Sequence, residues 1–155
     1  MREACVRGPC ARSVREVHAR GLYKGPVQEG RYNRSMIYHV VPLAEWSARP
    51  ERPYAPASLA EEGFVHCAPD EATALAVVNA FYRASPRPLL ALVLDEDRLS
   101  ARTEREAAVP APPPGVPDGT LFPHVFGPLD REAVVRVLEV TWNEDGRAVG
   151  TAPRG

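Results

Sequence analysis

Six consecutive apolar residues, Leu89 to Leu94, bounded by Pro88 and Asp95, constrain this chain more than any other stretch. The run has strand length and offers no polar face to water. It therefore reads as a central strand buried on both sides.

The surrounding pattern is mixed α and β. Ile37–Val41 is a short strand of β-branched and aromatic residues, ended by Pro42. Residues 43–48 suit one or two helical turns carrying Trp46, and Pro50, Pro53 and Pro56 then keep the chain extended. Ser58 is expected to cap a short turn through Glu62, with Glu61 at the capping-box position. Gly63 breaks that turn, and Phe64–Cys67 is the second strand. Residues 70–84 form the clearest helix, from the spacing of Ala72, Leu75, Ala76, Val78, Asn79 and Tyr82. A short polar edge strand is expected within 98–106, and a rigid proline-rich loop over 107–119. Phe122–Phe126 returns to strand composition despite Pro123, which suggests a sheet edge or a bend. Val134–Val140 alternates as a last strand.

The chain divides at Met36. Residues 1–35 hold seven arginines and no sustained period, and such a segment buries too little apolar surface to offset its ordering entropy. They are expected to be disordered, or a non-native extension ahead of a true start at Met36. Residues 36–142 form one globular domain, and residues 143–155 a flexible tail.

Composition excludes several classes. The net charge of −1 does not suggest a surface that coats nucleic acid or anionic membranes. No apolar stretch approaches the roughly 18 residues of a membrane span. No secretory leader is visible, so a cytoplasmic location follows by default. Cys5, Cys10 and Cys67 do not make a disulfide framework. Lys24 is the sole lysine, which removes Schiff-base and phosphate-loop lysine chemistry from everything beyond it. A glycine-rich dinucleotide fingerprint, a phosphate loop and a Gly-x-Ser-x-Gly elbow are all missing.

What remains is a set of histidines. His39, His66 and His124 each sit inside an apolar or aromatic run, while His18 lies in the N-terminal segment. Imidazole suits proton transfer or metal binding near neutral pH. Each ring alone reads equally as a core histidine with its own hydrogen-bond partner. Three of them would need three separate partners, so together they point to one pocket. They share no local metal-ligand spacing, and no metal is expected. Strand alternation puts Phe64 with His66, Val65 with Cys67, and Ile37 with His39. Cys67 is thus expected to be a small core residue. Tyr54 and Ser58 precede the second histidine strand and either line the cleft or pack the loop. Asn79 either holds backbone or reaches a ligand. Glu104 and Glu106 lie in a charged, solvated stretch.

These runs resemble, in their order, a bacterial family known as domain of unknown function 952. The resemblance rests on Tyr38-His39, Trp46, Tyr54-Ala55-Pro56-Ala57-Ser58-Leu59, Gly63-Phe64-Val65-His66-Cys67, Asn79 with Phe81-Tyr82, and Phe122 through Leu129. It covers about Met36 to Val140. Two positions depart from the pattern: Ala68 stands for a serine, and Ala72 for a glutamine common in the next helix. The resemblance implies an α+β fold with a small mixed, split β-sheet and one main helix, similar to ADP-ribosyltransferases.

By that analogy His39 and His66 face one cleft, with His124 at its rim as a third catalytic histidine. Tyr54, Ser58, Asn79 and Glu106 bind the ligand, Glu106 matching an acidic position of the family. The implied ligand is NAD or a phosphorylated nucleotide, and the implied chemistry is ADP-ribosyl or phosphoryl transfer. The glutamate that orients the acceptor in many such transferases has no counterpart here. A non-catalytic small-molecule-binding module on the same fold is the alternative.

Overall fold

The computed structural model describes residues 34–155. The expectation for residues 1–33 lies outside the described residues. Arg34 and Ser35 lie within them and are tied to the domain. The Glu96 N–H donates to the Ser35 carbonyl at 3.0 Å, and Arg105 donates to Ser35 Oγ at 3.0 Å. The Arg34 guanidinium lies 3.6 Å from the buried Asp95 carboxylate.

Seven strands form two sheets. They are β1 (Met36–Pro42), β2 (Val65–His66), β3 (Leu89–Asp95), β4 (Thr103–Ala107), β5 (Leu121–Val125), β6 (Val134–Trp142) and β7 (Ala148–Pro153). The larger sheet has the order β1-β3-β6-β7 and the smaller β2-β5-β4. All pairings are antiparallel, which corrects the expectation of a mixed sheet. Three short helices accompany them: α1 (Leu43–Ser47), α2 (Ala57–Glu62) and α3 (Glu71–Val77), the last continued as a π-helical turn, Val78–Tyr82.

The Leu89–Leu94 run is the central β3, and all seven residues of that strand are buried. Its two faces serve two packings. Leu90, Leu92 and Leu94 meet Ile37, Val41, Val65, Cys67 and Val125 in the core between the sheets. Leu89 joins Val40, Ala74 and Val78 beneath α3, while Ala91 and Val93 pack with Leu138. A six-residue run with no polar side chain is stable only where both faces are covered in this way.

Several boundaries differ from the sequence pattern. The frayed tail is corrected: residues 148–153 form β7, paired with β6 from Leu138↔Pro153 to Trp142↔Ala148. A turn at Asn143–Arg147 with Gly146 at positive φ closes that hairpin, the Arg147 N–H donating to Asn143 Oδ1 at 2.8 Å. Pro123 is not at a sheet edge, since β5 is the middle strand of its sheet. Its carbonyl accepts the Cys67 N–H at 2.9 Å. A proline has no N–H to return, so the β2–β5 ladder ends there. Ser58 does not cap α2. Its hydroxyl donates to the Phe64 carbonyl at 3.2 Å, and Pro56 occupies the cap position. Asp70 caps α3, accepting from the Thr73 N–H at 2.7 Å.

The two sheets touch edge to edge at one place. Tyr38 and Ala68 form an isolated antiparallel bridge, bonded both ways at 2.9 and 2.7 Å. Beyond it β1 and β2 part.

Candidate functional site

The parting of the sheets leaves a cleft of about 750 Å³. Its walls come from β1 (Tyr38, Val40), β2 with its flanks (Phe64, His66, Ala68), α3 with the π-helical turn (Val77, Phe81, Tyr82), β5 (Phe122, His124) and the 107–113 loop. Glu62 and Glu106 are the acidic residues on it, and no arginine or lysine lines it among the described residues.

The reactive groups sit on β2 and β5. His66 and His124 are direct cross-strand partners. The neighbouring Cys67–Pro123 position carries the backbone hydrogen bond, so the histidines form the non-hydrogen-bonded type of pair, whose side chains approach more closely. Their rings meet edge to face at 5.2 Å. Phe64, two residues before His66 and on the same face, stacks on the His124 ring at 4.2 Å and 21°.

Each histidine has its own carboxylate. Glu106, a diagonal neighbour on β4, lies 2.5 Å from Nδ1 of His124. A carboxylate accepts, so Nδ1 carries the proton. In the neutral ring Nε2 of His124 then holds the lone pair, and it has no partner among the described residues. Glu62 accepts from Nε2 of His66 at 3.1 Å. That contact depends on Gly63, which ends α2 at φ 87°, a left-handed conformation that favours glycine and turns the chain sharply into β2.

The remaining expected site residues are elsewhere. His39 does not share the cleft with His66, which corrects the expectation of one pocket for both. It points with Ile37 and Val41 into the core between the sheets and is 4% exposed. Its Nδ1 donates to the His66 carbonyl at 2.7 Å, and its buried Nε2 has no partner among the described residues. Burial pulls its pKa down to about 4, against the opposing effect of that hydrogen bond. It is neutral across the physiological range.

Tyr54 does not cover the cleft. It is buried in the same core as His39, 5.6 Å from that ring, and its hydroxyl donates to Glu45 at 3.2 Å. Burial, reinforced by Glu45, raises its pKa. Ser58 is occupied with the Phe64 carbonyl, so it supports the wall without lining it. Asn79 grips β7 in both directions: Nδ2 donates to the Ala148 carbonyl at 3.0 Å, and the Ala148 N–H donates to Oδ1 at 2.8 Å. Of the four ligand-binding expectations, only Glu106 lies on the cleft.

Cys67 is 5% exposed and packs in the core with Val65. Burial first, and the Glu96 carboxylate second, raise its pKa, so its thiol stays protonated. It is a poor nucleophile.

Sequence reasoning missed Glu62 and gave Tyr38 and Phe64 no role in the site. Glu62 was findable, because a carboxylate four residues before a histidine and across a single glycine folds back onto it. Tyr38 was findable from alternation, since it must face opposite His39. Tyr82, whose pKa burial raises, closes the helix side of the cleft.

Residues 40–137 match the family described as "Protein of unknown function (DUF952)". The crystal structure of protein CC0527 from Caulobacter crescentus shares the fold, with a TM-score of 0.58 at 22% identity over 74% of this chain and 93% of that one. Its solution NMR structure gives 0.51 at 23% identity over 72% and 90%. No curated protein matches the chain.

Proposed function

The chain belongs to the DUF952 family, and on that footing we propose that its cleft binds a nucleoside-type ligand, with His124 as the group that moves a proton. The observation that carries this is the Glu106–His124 contact at 2.5 Å, beside an unpartnered Nε2. A carboxylate that fixes one ring nitrogen as N–H leaves the other basic and stabilises the imidazolium once it forms.

The chemistry of the walls supports this class of ligand. A planar base fits against the aromatic set of Phe64, Tyr38 and Tyr82, and the apolar lip residues Phe81 and Val109, 72% and 92% exposed, extend that surface. Ribose hydroxyls fit the carboxylates of Glu62 and Glu106, which only accept. With no fixed cation on the cleft among the described residues, recognition falls on the base and sugar, and any phosphates point to solvent. A cationic nicotinamide ring suits the two acidic residues. His124 Nε2 takes the proton from an acceptor hydroxyl as that oxygen bonds to the ribosyl C1′ of NAD and the C1′–nicotinamide bond breaks, nicotinamide leaving as the neutral amide. This keeps the ligand class implied by the likeness to ADP-ribosyltransferases and, of the three histidines expected to be catalytic, gives the proton transfer to His124.

A second reading, a non-catalytic binding module, is favoured by the state of Cys67. Among the described residues the one thiol beside the cleft is buried and protonated, so nucleophilic catalysis by it is not supported.

Titration calorimetry with adenosine, nicotinamide riboside, NAD and inorganic pyrophosphate tests the reading. Heat from the nucleosides and NAD, and none from pyrophosphate, is expected. Binding of pyrophosphate alone, or of none of the four, would sink it. Recovery of every bound ligand unchanged, with and without hydroxyl acceptors, would select the non-catalytic reading.

A further inference from the structure

His39 is the buried titratable group that the proposed chemistry does not use. The ring lies in an otherwise apolar core and leaves Nε2 without a partner among the described residues. An aliphatic side chain would fill such a position without stranding a buried acceptor. What the imidazole does there is donate one hydrogen bond, from Nδ1 to the His66 carbonyl at 2.7 Å.

The place of that bond in the sheet gives it a role. Tyr38 and Ala68 are bonded both ways across the seam between the sheets. In a regular antiparallel ladder the next bonded rung would join Val40 and His66, two residues along each strand. The backbone does not make that rung. The His66 carbonyl is taken by the His39 side chain instead. The seam therefore opens after one rung, at the point where Val40 and His66 become cleft wall.

The strand that carries His66 needs such an anchor. β2 is two residues long and pairs with β5 only at Val65 and His66, with one further bond from Cys67 to Pro123. With Pro123 ending that ladder, the far edge of β2 is held by the Ala68 bridge and by His39.

We propose that His39 is a positioning residue whose imidazole replaces a backbone rung at the seam between the sheets, holding the cleft open and fixing His66 against His124. This rests on the reading of the His66–His124 cleft as the functional site. Its test needs no ligand, so failure of the nucleoside panel would leave it standing.

In the full chain with labelled histidine and phenylalanine rings, nuclear Overhauser contacts among His66, His124 and Phe64 report the cleft wall. Contacts between β1 and β3 report the fold. His39→Leu is expected to keep the β1–β3 contacts and to lose more than half the intensity between His66 and His124. His39→Asn, whose amide can donate from near the Nδ1 position, is expected to restore them. An unchanged cleft wall in His39→Leu overturns the proposal. Should His39→Leu not fold, two observations decide. Cleft contacts kept in His39→Asn, with wild-type His39 protonated at Nδ1 alone, support it. Loss of those contacts in folded His39→Asn, or wild-type protonation at Nε2, overturns it.

Discussion

The Glu106 carboxylate lies 2.5 Å from the Nδ1 nitrogen of His124, reaching diagonally across the β4–β5 pair. The two residues are 18 positions apart and meet because Glu104 is the direct partner of His124 in the ladder. Glu106 then stands two residues along the same face. A histidine held in this way has a defined tautomer and a free nitrogen, the two requirements for a positioned base.

Removing that carboxylate should change the tautomer and leave the fold. In Glu106→Leu the His124 proton is expected to redistribute toward Nε2, read from imidazole nitrogen shifts, with affinity for nicotinamide riboside falling several-fold. Stability should change by less than about 1 kcal/mol, because the Glu106 carboxylate is half exposed. A tautomer unchanged by the substitution would show that Glu106 does not orient the ring.

His39 should make the fold acid-sensitive. The unfolded chain takes up a proton at this residue below about pH 6.5, the folded chain only below about 4. The unfolded state therefore binds more protons between those values. The stability this group contributes is complete above 6.5 and is lost as pH falls toward 4. Between pH 7 and pH 4.5 the loss is roughly 2–3 kcal/mol. Urea unfolding at the two pH values measures it. His39→Asn, which has no titratable ring, should show a correspondingly smaller difference, and equal slopes in both proteins would remove His39 from the account.

The Asn79 clamp predicts a local loss of order. Asn79→Ala strands the carbonyl and N–H of Ala148, a residue 4% exposed, at a cost of about 1–3 kcal/mol. Thermal unfolding should fall accordingly. Faster amide exchange should be confined to β7 and its turn, with β3 unaffected. Uniform acceleration across both sheets would contradict a clamp acting on β7.

Cys67 should be inert. With Cys5 and Cys10 replaced by serine, the remaining thiol is expected to resist thiol reagents in the folded protein and to react freely in denaturant. Cys67→Ser should destabilise by about 1–3 kcal/mol through a buried hydroxyl, and should leave nucleoside binding unchanged. Rapid labelling of the native protein would show a more open site.

These residues also show what the sequence could and could not reveal. β3 was legible because an unbroken apolar run has one stable environment. The pairing of Phe64 with His66, and of Val65 with Cys67, followed from alternation and matches the packing. His39 was misplaced although the same rule applied. Alternation says which residues share a face, and Ile37, on the His39 face, already marked that face as core. β7 escaped notice because Gly150, Thr151, Ala152 and Pro153 carry little strand preference of their own; pairing with β6 supplies the order. The Glu106 carboxylate was ambiguous for a different reason. A half-exposed glutamate looks the same in a charged surface stretch as at the mouth of a cleft, and only the partner strand distinguishes them.

The most direct measurement is a chemical-shift map of the full chain titrated with nicotinamide riboside. Shifts are expected to centre on Phe64, His66, His124 and Tyr82, with His39 and Tyr54 moving little, and His124→Phe is expected to lose affinity markedly. Shifts centred on His39 and Tyr54, or an affinity indifferent to His124, would contradict binding in the cleft.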